Sequence, residues 1–312
     1  MPDCATVPPP PRPADRLGEA RRLRRASLHF ADAQEQAAAL SGWNQDYVQL
    51  SAGAFQGELA QVRGAGIQLF VERVQQSVRQ TGVLPSGVLA LGVPLSASGH
   101  GMFCGQVCGL QSLHVFSGSA GFDFRTSRQH TMLGLELQLG VTPELQPAAL
   151  DGPALARIKP YLMALYQSAR LDPQLLHSPA VVASVADYLL DQLQQAPAPV
   201  PQGSTHGHWA LVQRAVSQVQ AAQEQAPTVT QLCLNLGVSR RTLQNAFQRV
   251  LDMGPLAYVK AVRLKQAREA LKHAQSVTEA ATACGFWHFG HFAHDYQAQF
   301  GERPSDTLRR HS

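Results

Sequence analysis

A chain of 312 residues with 45% hydrophobic and 15% charged residues is long enough to bury two cores and has the composition of a soluble globular protein. No apolar run approaches the roughly 18 residues of a membrane span. The N-terminus lacks an apolar signal core, and five scattered cysteines do not make a disulfide framework, so a reducing, cytoplasmic setting is expected. The net charge of +4 is unevenly spread. Residues 1–25 carry six arginines against three acids, residues 209–312 carry twelve Lys and Arg against seven acids, and the middle is acidic. A basic C-terminal unit beside an acidic one suits a nucleic-acid binder with a separate second domain.

Residues 1–25, rich in Pro, Arg and Ala, read as a disordered basic tail with a short helix around residues 20–25. A solvated tail is the simpler reading than a phosphate-binding one. Residues 26–195 are expected to form a separate N-terminal domain. Its first part holds the short apolar runs VLALGVPLS, MFCGQVCGL, LHVFSGSAGFDF and TMLGLELQL, separated by Gly and Ser. That spacing predicts an antiparallel sheet or small barrel, interrupted by a helix near residues 67–79. Trp43, Tyr47, Phe55, Phe70 and Phe103 suit core packing better than a ligand pocket. Further on, Ser178-Pro179 starts a helix with Val181, Val182, Val185, Leu189, Leu190 and Leu193 at helical spacing. This stripe fits a homodimer seam and packing on its own domain equally well. Residues 196–208, APAPVPQGSTHGH, read as a linker.

The C-terminal unit, residues 209–312, contains an internal repeat. TVTQLCLNLGVS at 228–239 resembles SVTEAATACGFW at 276–287, an offset of 48. The match continues one residue out of step, pairing Leu243 with Phe292, Phe247 with Tyr296, Leu251 with Phe300 and Pro255 with Pro304. Each copy reads as a helix-turn-helix: a capping box, a short helix, a turn glycine at Gly237 or Gly285, an apolar residue, and a second helix with a buried stripe. A helix of about 18 residues joins the copies. It spans about 27 Å, close to the roughly 34 Å between successive major-groove faces.

The polar face of the first recognition helix carries Arg240, Arg241, Gln244, Asn245 and Gln248. Arg, Gln and Asn bond bidentately to purine edges. Lys260, Arg263 and Lys265 on the connecting helix are assigned to phosphates, with Arg240, Gln248 and His291 as further backbone contacts.

These residues resemble the C-terminal domain of the AraC/XylS family of bacterial transcription regulators. The signature is ACGFWHFGHFAHDYQAQFGERPS, preceded by NLGVSRRTLQNAFQ and VKAVRLKQAREAL. SRRTLQNAF, GFWH and the DYQ segment look most like the ethanolamine-operon regulators, and WNQDYVQLSAGAFQGEL is similar to them more loosely. The resemblance implies an α+β chain of two domains: a cupin-like β domain with helices, and an all-α domain of two joined helix-turn-helix motifs. It also implies that residues 26–195 are an effector-binding and dimerisation domain for a small molecule, with RNA polymerase as partner and activation as the outcome. By position, base contacts fall at Arg241, Gln244 and Asn245 in the first motif and at His288, Phe289, Gly290 and His294 in the second. Trp287, Phe289 and Gly290 depart from the polar residues usual there, which weakens direct base reading by the second helix.

No cofactor, metal or catalytic residue is expected. His288, His291 and His294 drift round their helix and lack a paired Cys. Cys104 and Cys108 suit buried thiols, although His100 and His114 nearby leave a mononuclear site in a barrel open. No phosphate-binding Gly loop, G-x-S-x-G elbow or H-E-x-x-H motif occurs, so an enzyme is not expected. A sensor acting mainly through protein partners is the alternative to a DNA-binding regulator.

Overall fold

The computed structural model describes residues 27–40, 42–117, 121–141, 145–150, 152–196, 203–222 and 227–311. The basic tail, with the helix expected at residues 20–25, and linker residues 197–202 lie outside the described residues.

The N-terminal region folds into two antiparallel sheets. One has seven strands, in the order β1 (Leu28–Phe30), β3 (Gly57–Arg63), β4 (Ile67–Val74), β11 (His130–Gln138), β6 (Val88–Ser96), β9 (Leu113–Ser117) and β12 (Ala148–Leu150). The other has five, in the order β2 (Gln45–Gln49), β5 (Val78–Gly82), β10 (Phe122–Arg125), β7 (Gly101–Phe103) and β8 (Gln106–Cys108). The helix expected near residues 67–79 is replaced by β4 and β5. Both faces of the run IQLFVERV are covered, burying Gln68 and Glu72 with its apolar residues, so its alternation is masked and it imitates a buried helix. A helix that the apolar pattern missed, α1 (Ala33–Ala39), lies ahead of it. Asp32 caps it, accepting from the backbone N–H of Gln34 at 2.7 Å and of Glu35 at 3.3 Å.

Alternation along each strand sorts the residues into layers. In β11, Leu133, Leu135 and Leu137 face outward, onto α2 (Pro153–Leu171) and α3 (Pro179–Gln194). Val185, Leu189 and Leu193 of α3 are buried in that layer, with Val181, Val182 and Leu190 packed against it. The stripe therefore covers its own sheet. The other face of β11 points between the sheets, where Trp43, Phe70, Phe103, Phe116, Phe122 and Phe124 fill the interior. Trp43 stands edge-on to Phe70, Phe116 and Phe122, with centroids 5.2–5.8 Å apart. The outer face of the five-stranded sheet carries Val48, Leu50 and Met102, which share one apolar cluster with the C-terminal helices. The molecule is thus a stack: helices, seven-stranded sheet, five-stranded sheet, helices.

Most polar groups inside the sandwich are satisfied locally; among the described residues Gln36 Oε1, both ring nitrogens of His114 and Nε2 of His130 have no partner. Glu72 accepts from Tyr47 Oη at 2.7 Å and from the side-chain amides of Gln36 and Gln80 at 3.0 and 3.2 Å. Burial raises its pKa, as it does for Glu136, which accepts from Trp43 Nε1 at 2.6 Å. Two of these residues carry imidazoles. His114 is fully buried and stacked on Phe103 at 4.8 Å, and neither ring nitrogen has a partner; His130 Nε2 has none either. Burial lowers His114 to about 3 and His130 to about 4.

Both histidines are neutral when folded but take up a proton near their ordinary pKa when unfolded. The stability their neutrality permits is full above that ordinary value and is lost as pH falls below it. At pH 5 each costs about 2 kcal/mol. His114→Phe should shrink the drop in unfolding free energy between pH 7 and pH 5 by about 2 kcal/mol in urea titrations. An unchanged drop would show that this imidazole is not held neutral.

Candidate nucleic-acid interface

The C-terminal unit begins with α4 (Gly203–Ala221), which starts within the expected linker. The first motif follows as α5 (Val229–Leu236) and α6 (Arg240–Leu251). Thr228 and Gln231 form a reciprocal capping box: the Gln231 amide oxygen accepts from Thr228 N–H at 2.8 Å, and Thr228 Oγ1 accepts from Gln231 N–H at 3.2 Å. Gly237 makes the turn at φ +66°, and Ser239 caps α6 through Thr242 N–H at 3.1 Å. Leu243, Ala246, Phe247 and Val250 are buried. On the opposite face Arg240, Arg241, Gln244, Asn245 and Gln248 are all exposed, so the structure brings the five predicted residues of this helix onto one open surface.

After α7 (Pro255–Leu271) the second motif repeats the plan in α8 (Val277–Ala283) and α9 (Phe289–Phe300), and α10 (Pro304–His311) closes the unit. Ser276 caps α8 through Glu279 N–H at 3.1 Å, and Gly285 turns the chain at φ +72°. Phe292, Tyr296 and Phe300 are buried. His288, Phe289, Gly290, His291 and His294 are exposed, and Trp287 is 66% exposed. The surface of this helix is therefore aromatic and imidazole-rich where that of α6 is cationic and amide-rich. Among the described residues no group of three or more His, Cys, Asp and Glu gathers as a metal site. Burial pushes the Cys104 thiol up to about 12, so it stays protonated near neutrality.

The cations of α7 have internal partners. Lys260 pairs with Asp295 of α9 at 2.8 Å. Arg263 donates to the carbonyls of Cys284 and Gly285, and its guanidinium lies 4.6 Å from the centroid of the Phe286 ring. It clamps the second turn. Lys265 pairs with Asp46 of β2. Lys260 remains half-exposed, whereas Arg263 and Lys265 are committed to contacts inside the molecule.

The sheet domain reaches both recognition helices at their C-terminal ends. Arg125 Nε donates to Val250 O at 2.8 Å, in the last turn of α6. Gly53 N–H donates to Ala298 O at 3.0 Å, and Gln49 Nε2 to Gln299 O at 2.8 Å, in the last turn of α9. Carbonyls there have no partner within their own helix, so the sheet domain supplies the missing donors. Between these points Arg79, 2% exposed, grips Asp123 with two nitrogens at 3.0 and 2.9 Å and reaches Tyr258 Oη of α7 at 2.9 Å. At the far end Arg268 pairs with Asp32 at 2.6 Å and with Glu302 at 3.0 Å. Burial pushes the Asp32 carboxyl up, but Arg268 and Lys272 outweigh it and hold it below its ordinary value. Sequence reading missed these contacts, because the partners of Arg79, Asp32 and Gln49 lie far away along the chain.

The two turn glycines differ in their surroundings. A Cβ at Gly237 would meet open space, whereas one at Gly285 would stand 2.6 Å from Arg263 Nη2. Gly237→Ala should cost about 1–2 kcal/mol, the penalty of the left-handed backbone alone. Gly285→Ala should cost at least about 1 kcal/mol more, because the guanidinium must leave its carbonyls. Urea titration of both variants checks this, and equal costs would contradict the clamp.

Known proteins resemble the C-terminal part of the chain. The family profile described as a helix-turn-helix domain matches residues 232–310. A probable thc operon regulatory protein of Rhodococcus erythropolis is 41% identical over 103 residues, 32% of this chain and 31% of that protein. A XylDLEGF operon transcriptional activator of Pseudomonas putida is 39% identical over 77 residues, 23% of this chain and 24% of that protein. The matched stretch thus spans at most about a third of these relatives. A crystal structure of a transcriptional regulator with an AraC-type DNA-binding domain from Chromobacterium violaceum aligns at 29% identity and a TM-score of 0.32, covering 34% of this chain and 96% of that one. With its paired motifs, capped turns and exposed first recognition helix, the C-terminal unit is a pair of helix-turn-helix motifs similar to the matched stretches of these operon regulators.

Proposed function

We propose that the chain is a sequence-specific DNA-binding transcription regulator, an activator that responds to a small molecule through its two-sheet domain. The observation that carries the reading is the surface of α6. Five polar residues, two of them arginines, stand exposed on a helix whose other face is locked in a core. They have the donors and acceptors that base edges require. Arg241, Gln244 and Asn245 are the base readers, with Arg240 and Gln248 on the flanking phosphates. In the second motif Phe289 and Gly290 offer apolar contact to thymine methyls, while His288, His291 and His294 offer donors to bases and backbone. Lys260 joins the phosphate contacts by exchanging Asp295 for DNA. RNA polymerase and a second copy of the chain are the macromolecular partners in this reading. The likeness to the ethanolamine-operon branch rests on the sequence runs quoted above, and the relatives compared serve other operons by name.

Gel retardation on the DNA upstream of the chain's own gene tests the assignment. Arg241→Ala should weaken binding by about 1–3 kcal/mol and relax preference at one base pair. Arg240→Ala should weaken binding to all duplexes alike and reduce the slope of log K against log salt by about 1. Equal loss on specific and random DNA for Arg241→Ala would remove it from base reading. No retardation at low salt would remove the function altogether.

A further inference from the structure

Where the sheet domain meets the turn between α6 and α7, the two units enclose a recess of about 410 Å³. Arg125 at the end of β10, Arg128 just beyond it and His100 in the loop between β6 and β7 line it from the sheet domain. Asp252 lines it from the α6–α7 turn. Serines in the wall have already spent their protons: Ser77 Oγ donates to Thr126 O at 2.7 Å and Ser98 Oγ to Arg128 O at 2.5 Å. The donors left for an occupant are therefore cationic or imidazole groups.

Arg125 is unlike the other arginines that join the two units. Arg79 and Arg268 each hold a carboxylate. Arg125 Nε donates to Val250 O at 2.8 Å, but among the described residues no carboxylate pairs with it and neither terminal nitrogen has a hydrogen-bond partner. The side chain is half-buried, yet both terminal nitrogens stay within reach of solvent. Burial lowers its pKa by more than the field of Asp252 raises it. A guanidinium so placed is short of a counter-charge. Arg128 makes one long contact, from Nη2 to Ala52 O at 3.4 Å, and His100 is exposed. Asp252 Oδ1 already accepts from Gln248 Nε2 at 3.0 Å. One acid against two arginines leaves the recess positive.

We propose that this recess binds a small tetrahedral oxyanion, a free phosphate or the phosphate group of a small metabolite, held by Arg125, Arg128 and His100. Three donor groups from two separate segments suit an anion that offers more than two acceptor oxygens. A carboxylate has two coplanar oxygens, which one guanidinium fork already occupies. The consequence for regulation rests on the DNA-binding reading; the binding itself does not. Arg125 has two ends: its Nε–H caps the last turn of α6 at Val250 O, and its terminal nitrogens face the anion. The guanidinium is one rigid plane, so an anion that fixes the terminal nitrogens also fixes the cap. Occupancy of the recess therefore favours the arrangement in which the first recognition helix is held by the sheet domain.

The Nε–H of Arg125 is hydrogen-bonded, so it can be followed in a proton–nitrogen spectrum of the ¹⁵N-labelled full chain; Arg125→Lys assigns it by its loss. Inorganic phosphate and glycerol 3-phosphate, the free anion and an ester of it, are titrated at constant ionic strength with chloride as the balancing ion. One or both should shift the Arg125 signal saturably, and acetate should bind at least about tenfold more weakly. Arg128→Gln, at an exposed position, should weaken binding of the better probe by about tenfold. Asp252→Asn should strengthen it severalfold, because it removes the one negative charge and asparagine tolerates the left-handed backbone there, φ +57°. If Arg125→Lys does not fold, the opposite effects of Arg128→Gln and Asp252→Asn on calorimetric titrations decide the matter. An Arg125 signal indifferent to both phosphates, acetate binding as tightly, or an affinity that neither variant changes would overturn the proposal. The titration contains no DNA, so failure of gel retardation and failure of this site are separate results.

Discussion

Arg79 sits on the outer face of the five-stranded sheet, and its guanidinium is almost wholly removed from water. Such a charge is tolerable only when every donor has a partner. Asp123 meets two of the contacts from within the sheet, but Tyr258 Oη and Gln213 Oε1 come from the C-terminal helices. The sheet domain therefore cannot satisfy its own central cation. The same face carries Val48, Leu50 and Met102, which would be exposed without those helices. Polar and apolar requirements agree: the helix-turn-helix unit is the cover of this sheet, and the two are not independent beads on a linker.

The position of everything else follows from that cover. Tyr258, Lys265, Arg268 and Lys272 recur along one side of α7 and the turn after it, and they meet Arg79, Asp46, Asp32 and Glu35 in succession. With α7 fixed, the two motifs at its ends have a fixed separation. The C-terminal turns of α6 and α9 are then held by Arg125, Gln49 and Gly53, and their N-terminal halves stay open. The Asp32–Arg268–Glu302 group is buried and mutually satisfied, so its value lies less in net stability than in specifying one arrangement.

Much of this was legible in the sequence. The repeat of cap, turn glycine and apolar stripe predicts two helix-turn-helix motifs, and Thr228, Gly237, Ser239 and Gly285 do what their types suggest. Those signals are local: a cap or a left-handed turn is decided by a few neighbouring residues. The β domain was legible as a class but not strand by strand. Residues 67–79 suggest a helix because burial on both faces erases the period-two signal of β4. The roles of Arg263 and Lys265 were least legible. A basic residue on a connecting helix reads as a phosphate ligand until the carbonyls of Cys284 and Gly285, or a carboxylate 219 residues away, are brought beside it. Contacts between distant segments leave no trace in local periodicity.

The two recognition surfaces differ in kind, so the halves of the bound site should differ in information. Selection of duplexes from a random pool by the full-length protein, followed by sequencing, tests this most directly. The account predicts two conserved blocks about one helical turn, roughly 10 base pairs, apart. The block read by α6 should be sharply defined and the block under α9 looser and rich in A·T pairs. A pool that shows no enrichment, or a single block with no second half, would contradict it.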